Sequence, residues 1–251
     1  MDAQGSDKRN SNSSNEKIET FNYKSGTAKK TRIIKNKNQK INLTYYETRK
    51  QDKEVAEIDI DNDNYGVYDI YRNSDGNMEY MYVPNSDKMV CFRYLNIHEM
   101  EPKSLIDEEK AKKIASEYML EVLGDSNDYC YSTCYYNEFG SYYDVCFVKK
   151  LGSFMTDDIA RVWVNTEGKI LAYIAFLQDR YDDITIDTKE EKHALKEMNE
   201  TLDEEYNTNS PDIIEQYITY DKEGLVFKTV AINSDSNTDI EIEVPVEYKE
   251  D

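Results

Sequence analysis

Apolar and polar residues alternate with a period of two along most of this chain, and that period predicts strands. Ile41 to Tyr46, Gly66 to Arg72, Met78 to Val83 and Met89 to Tyr94 read as a strand meander. Asn73-Ser74-Asp75-Gly76 and Pro84-Asn85-Ser86-Asp87 supply its turns. The period then changes. Ala111, Ile114, Ala115, Tyr118 and Val122 recur at helical spacing, with Ser104 or Asp107 as the cap, Glu108 and Glu109 at the positive end, and Gly124 as the stop. Four strands follow, near 129–137, 142–149, 159–165 and 169–177. In the third, Ala160, Val162 and Val164 alternate with Arg161 and Trp163. The fourth is apolar on both faces, which predicts a central strand.

A second helix is predicted from Thr188, with Glu191 completing a capping box and Ala194, Leu195, Met198 and Leu202 as its stripe. Strands near 213–220, 225–232 and 239–248 close the chain. In the last, Ile240, Ile242, Val244 and Val246 face one way, while Glu241, Glu243, Pro245 and Glu247 mark an edge. Asn73-Ser74-Asp75-Gly76, Asn165-Thr166-Glu167-Gly168 and Asp221-Lys222-Glu223-Gly224 share one turn form, that of a hairpin with glycine at positive φ. The expected fold class is therefore α+β, with antiparallel sheets each packed by a helix in repeated helix-plus-meander units. The expected divisions are a disordered polar linker (1–27), a β-meander unit (28–104), a helix plus four-stranded unit (105–186) and a helix plus three-stranded unit (187–251).

Composition sharpens this picture in two places. The 251 residues include 22 Tyr against 7 Phe and 1 Trp. Tyrosine suits half-buried strands with solvated faces, and it also dominates recognition patches. The formal net charge is -20, which repels nucleic acid and anionic membranes. Lys29, Lys30, Arg32, Lys35, Lys37 and Lys40 form a basic run without acids, read as a solvated tail or first-strand edge. The longest apolar run, Ile170 to Leu177, is far too short to span a membrane. The chain opens on an Asn/Ser-rich linker, an abrupt start that fits a leader or lipid anchor upstream.

Candidate chemistry is sparse. Cys91, Cys130, Cys134 and Cys146 lack metal-site spacing and read as buried free thiols. Cys130 and Cys134 on one strand stand roughly 13 Å apart, too far for a bridge, whereas Cys146 on the next strand is placed to face Cys134. His98 and His193 have no partner at metal spacing and read as surface or partly packed side chains. Asp59, Asp61 and Asp63 begin like a calcium loop, but Asn64 replaces its glycine and Ile70 its final glutamate, so an acidic turn is expected. No phosphate loop or dinucleotide fingerprint occurs. No catalytic, cofactor-binding or metal-binding residue is assigned.

Ile106 to Ala115 resembles the helix that opens PepSY-like modules, Tyr142 to Phe147 resembles their middle strand, and Asp158 to Asn165 with Gly168-Lys169-Ile170 is similar to their closing hairpin. The resemblance covers residues 105–177 and, in weaker form, 187–248. PepSY-like modules occur in secreted and membrane-anchored bacterial proteins, including the propeptides of thermolysin-type proteases. The resemblance implies an extracytoplasmic location, secreted or lipoprotein-anchored, and no fixed catalytic residues. The expected function is a non-enzymatic binding or modulatory module, its partner an extracellular protein or cell-wall component, with a protease or other envelope protein as a target it regulates. The rival expectations are a hydrolase of wall polymers using a carboxylate pair and a passive structural spacer.

Overall fold

The computed structural model describes residues 30–36, 39–50, 67–96, 106–124, 128–175, 180–205, 212–221, 224–233 and 238–250. The predicted linker 1–27 lies outside them, as do His98 and the calcium-like acids Asp59, Asp61 and Asp63. Strands take up 58% of the described residues. They are β1 (Thr31–Asn36), β2 (Gln39–Lys50), β3 (Val67–Asn73), β4 (Met78–Tyr82), β5 (Met89–Tyr94), β6 (Tyr129–Asn137), β7 (Tyr142–Leu151), β8 (Phe154–Asn165), β9 (Ile170–Ile174), β10 (Ile184–Thr185), β11 (Asp212–Tyr220), β12 (Leu225–Asn233), β13 (Thr238–Pro245) and β14 (Lys249–Glu250). Two helices accompany them, α1 (Glu108–Leu123) and α2 (Thr188–Glu205).

The arrangement overturns the predicted α+β fold of repeated helix-plus-sheet units. Twelve strands form one mixed sheet in the order β1-β2-β3-β4-β5-β9-β8-β11-β12-β13, with β7 branching from β8 and β6 from β7. The physical reason is edge satisfaction. Met89–Tyr94 would end the first meander with an unpaired edge. Instead β5 pairs antiparallel with β9, Phe92 opposite Tyr173 and Cys91 opposite Ile174. At the other side, β8 is long enough to serve several neighbours. It pairs with β7 from Phe154 to Asn165 and with β9 through Arg161 to Val164, and Thr156 near its start makes a parallel bridge to Ile218 of β11.

Several local expectations hold. Asp107 caps α1, its carboxylate accepting from Lys110 N at 2.8 Å. The inner face of β13 is buried at Ile240, Ile242 and Val244, and β13 stands at one end of the strand order. Gly76 and Gly168 adopt φ of 67° and 81°, and each amide returns to the asparagine carbonyl that opens its turn. A side chain at Gly168 would also stand 3.1 Å from Ile114 Cδ1 on α1.

The second helix differs in detail. Asp187, not Thr188, is its cap, accepting from Lys189 N and Glu190 N at 2.9 Å each. Glu191 does not close a capping box; its carboxylate takes the Ser153 amide in the β7–β8 turn at 2.8 Å. Ala194, Met198 and Leu202 are buried, but Leu195 is exposed, because it lies one position off the inward line.

The apolar residues form two main cores. One lies between α1 and the shared face of the first meander and β7–β9, and includes Leu43, Tyr71, Phe92, Ala115, Met119, Phe147 and Val162. The other lies between α2 and β11–β13 and includes Phe154, Met198, Ile218 and Phe227. A smaller cluster, Ile70, Met81, Val90 and Cys91, occupies the opposite face of the first meander.

All four cysteines are free thiols. Register explains why Cys134 and Cys146 do not meet: Cys134 opposes Val145 and Cys146 opposes Thr133, so the two side chains leave opposite faces of the ladder. Met198→Ala should cost about 2–5 kcal/mol in urea unfolding, by cavity formation under α2. Leu195→Ala should stay within about 0.5 kcal/mol. Equal losses would contradict the observed rotation of α2.

Candidate functional site

A groove of about 1300 Å³ opens between α1 and the face of β1–β5. It follows from the packing just described. The helix presents Ile114, Tyr118 and Val122 to the sheet, while the sheet presents Met78, Tyr80, Tyr82, Met89 and Phe92. Strand alternation puts the last residues on one face, and α1 covers only part of it. The floor is a run of ring contacts. Tyr80 stacks on Phe92 at 5.6 Å, Phe92 meets Tyr118 edge-on at 5.8 Å, and Tyr118 meets Tyr173 at 5.8 Å. Burial raises the tyrosine pKa values here, that of Tyr82 to about 12 and those of Tyr80 and Tyr118 further, so every floor hydroxyl stays neutral.

Charges of both signs rim the groove. Lys40, Asp75, Lys110, Glu117, Glu121, Glu167 and Lys169 stand along it, with Lys169 held 4.1 Å above the Tyr94 ring. Arg32 shapes the wall from behind. Its guanidinium lies 4.0 Å from the Tyr82 ring and 5.0 Å from the Tyr71 ring. It donates to Asp87 Oδ1 at 2.6 Å and to the Ser86 carbonyl. Of the two readings of the basic run, solvated tail or first-strand edge, Arg32 fits the second by its place on the end strand β1 but is buried; Lys30 and Lys40 are exposed, and Lys29 and Lys37 lie outside the described residues. A desolvated cation over an aromatic face is worth up to about 2 kcal/mol.

The inner end of the groove carries the most unusual electrostatics. Tyr129 from β6, Lys149 from β7, Asp128, Asp182 and Lys88 line it. Behind them, on the inward face of β8, lies Asp158, fully buried. Tyr129 Oη donates to Asp158 Oδ1 at 2.5 Å, and the Asp158 amide donates to Thr156 Oγ1 at 3.1 Å. Asp158 Oδ2 is buried with no hydrogen-bond partner, and so is the hydroxyl of Tyr173. Desolvation pushes the Asp158 pKa up to about 6, against the downward pull of the Tyr129 hydrogen bond and the Lys149 charge. Lys149 itself pairs with Asp182.

Its sequence neighbour has the opposite fate. Asp157 points across the strand and accepts from Arg180 at 2.6 Å, from Thr219 at 2.7 Å and from Tyr181. One carboxylate is thus fully satisfied and ties β8 to β11, while the other is left half satisfied beside the groove. No sequence motif marked Asp158. The signal was nevertheless present: extending the inward parity of Ala160, Val162 and Val164 by one step places Asp158 on the buried face.

Two further acids are buried on the opposite face of the sheet, and both are paired. Glu79 lies between Arg72 at 3.0 Å and Arg93 at 2.9 Å. Asp144 accepts from Arg161, from Trp163 Nε1 at 2.9 Å and from Tyr135 at 2.7 Å. His193 is exposed on α2, 3.5 Å from Glu197. Among the described residues no group of three or more His, Cys, Asp and Glu is placed to hold a metal ion, and no helix is long and apolar enough to cross a membrane.

No protein-family model matches the chain, and no curated protein matches it. Among solved structures, the chain is similar to the Bacillus megaterium YpeB C-terminal domain, with a TM-score of 0.41 and 11% sequence identity over 86% of this chain and 89% of that one.

Asp158 makes stability depend on pH in a defined direction. Its folded pKa is raised, so its contribution is fully present below the unfolded value near 4 and is lost as pH rises through about 6. Asp158→Asn should therefore stabilise the protein at pH 7.5 by up to about 3 kcal/mol. The gain should vanish near pH 4 when both proteins are compared by urea unfolding.

Proposed function

We propose that this protein is a non-enzymatic, extracytoplasmic binding module that receives a segment of a partner in the groove between α1 and β1–β5. The groove carries the reading. At about 1300 Å³ it exceeds the roughly 300–1,000 Å³ of small-molecule pockets, and it is partly open to solvent. A floor of neutral tyrosine rings with a rim of both signs suits a polymer segment, whose apolar and charged groups are contacted together. The partner is an extracellular protein or a cell-wall component, and modulation of a protease or other envelope protein is the role assigned to the contact. The extracytoplasmic location rests on the PepSY-like resemblance of residues 105–177.

The groove also favours binding over a spacer role, since a spacer has no use for a large concave surface lined by tyrosine rings. It favours binding over hydrolysis too. Among the described residues the one carboxyl with a raised pKa, Asp158, is fully buried and does not line the groove.

Glu117 and Glu121 are exposed on α1 and line the rim, so both can be reversed without disturbing the core. The whole chain, immobilised, should retain a saturable partner from solubilised envelope or culture fluid. Glu117→Arg combined with Glu121→Arg should change that affinity by about ten-fold or more, with unfolding unchanged. Retention indifferent to the double reversal would move binding away from the groove. Specific turnover of an envelope polymer by the purified protein would replace the module with an enzyme.

A further inference from the structure

We propose that Lys149 exchanges its carboxylate partner with the protonation of Asp158, moving between Asp182 and Asp158 and so setting the charge at the inner end of the groove. The inference rests on the groove as the binding site and adds its regulation. The geometry supplies the parts. Asp158 lies buried on β8 behind the inner end, gripped on Oδ1 by Tyr129 and unpartnered on Oδ2. Lys149, on the neighbouring strand β7, is almost fully buried and pairs with Asp182, whose side chain is 48% exposed. Its ammonium group also lies 5.9 Å from the Tyr129 ring, the ring that carries the hydroxyl bound to Asp158.

Every element around Asp158 contributes to the balance. Tyr129 comes from β6, Lys149 from β7, Asp157 from β8 itself, Tyr173 from β9, Asp182 from the segment before β10 and Lys88 from the turn before β5. Lys149 and the Tyr129 hydrogen bond favour the ionised carboxyl; burial, Asp157 and Asp182 oppose it, and the balance falls near pH 6. Burial raises the pKa of Tyr173 and the Asp158 charge adds to that, while burial lowers that of Lys88 against the opposing charges of Asp182 and Asp158.

Two states follow. With Asp158 protonated, the buried carboxyl is neutral, and the ion pair of Lys149 with Asp182 is the stable arrangement. With Asp158 ionised, Oδ2 becomes a buried anion without a donor, which costs far more than leaving a half-exposed carboxylate in water. Lys149 then gains most by bonding to Asp158, and Asp182 is released to solvent at the inner end, which Asp128 also lines. The inner end turns anionic above the transition, and a cationic group of a bound segment is held more tightly there at pH 7.5 than at pH 5. No bond is made or broken; one proton leaves Asp158 and one ammonium changes partner.

The test uses the whole chain without ligand, so a failed capture experiment and a failed switch remain distinguishable. Carboxyl carbons are titrated by 13C NMR, and crystal structures are determined at pH 4.5 and pH 8. Asp158 should titrate about two pH units above an ordinary aspartate. Lys149 Nζ should bond to Asp182 at the lower pH and to Asp158 at the higher. In Asp158→Asn it should stay on Asp182 at both. Lys149 remaining on Asp182 at both pH values in the wild-type chain would overturn the switch, and so would an Asp158 midpoint near 4. The wild-type titration and structures decide the matter even where the variant fails to fold.

Discussion

The pairing of β5 with β9 is the contact on which the architecture depends. It joins two strand groups that are separated in the chain by a whole helix and three strands, and it covers the β5 edge of one with the β9 edge of the other. Once that ladder exists, α1 has a wide sheet to lie on. Ile106 N bonds to Thr166 O at 2.9 Å and Tyr143 Oη to Ile106 O at 3.0 Å, which anchors the start of the helix over the β8–β9 turn. The helix is too narrow to cover all of that sheet. The uncovered strip becomes the groove, so the candidate site is a consequence of how one helix is shared between two meanders.

The same geometry accounts for the tyrosines. A position that is buried at its base and open at its tip suits a ring with a terminal hydroxyl. Half-buried Tyr118 occupies such a position, Tyr80 and Tyr82 are buried where the core meets the groove, and Tyr45 and Tyr71 continue the ring contacts at 5.7 Å behind Arg32. Arg32 converts the edge hairpin β1–β2 into a wall by reaching across Tyr71 and Tyr82 to Asp87 and Ser86.

Buried acids separate structure from function in this fold. Glu79 and Asp144, with half-buried Asp157, each meet arginine and fasten strands together, and buried Asp69 on β3 accepts from Thr48 on β2 at 2.6 Å. Asp158 meets a tyrosine on one oxygen and nothing on the other. An isosteric amide in its place would remove the cost of burying a charge. A buried group that lowers stability, kept beside a groove, is the pattern expected of a functional position.

The period-two and period-3.6 patterns by themselves determined the individual elements: most strand positions, both helices, the Asp107 cap, the glycine turns and the edge character of β13. These follow from interactions within a few residues of each other. The α+β repeat failed because alternation states which side chains point inward but is silent on which edge meets which. That choice is made by hydrogen bonds between residues as distant as Cys91 and Ile174. The groove was illegible for the same reason, since its two walls come from separate parts of the chain. Asp158 lay between these limits: its inward parity was readable from Ala160 and Val162, but its missing partner was not. Only the folded packing of β6, β7 and β9 around it decides that a second donor is absent, because desolvation is a property of neighbours in space.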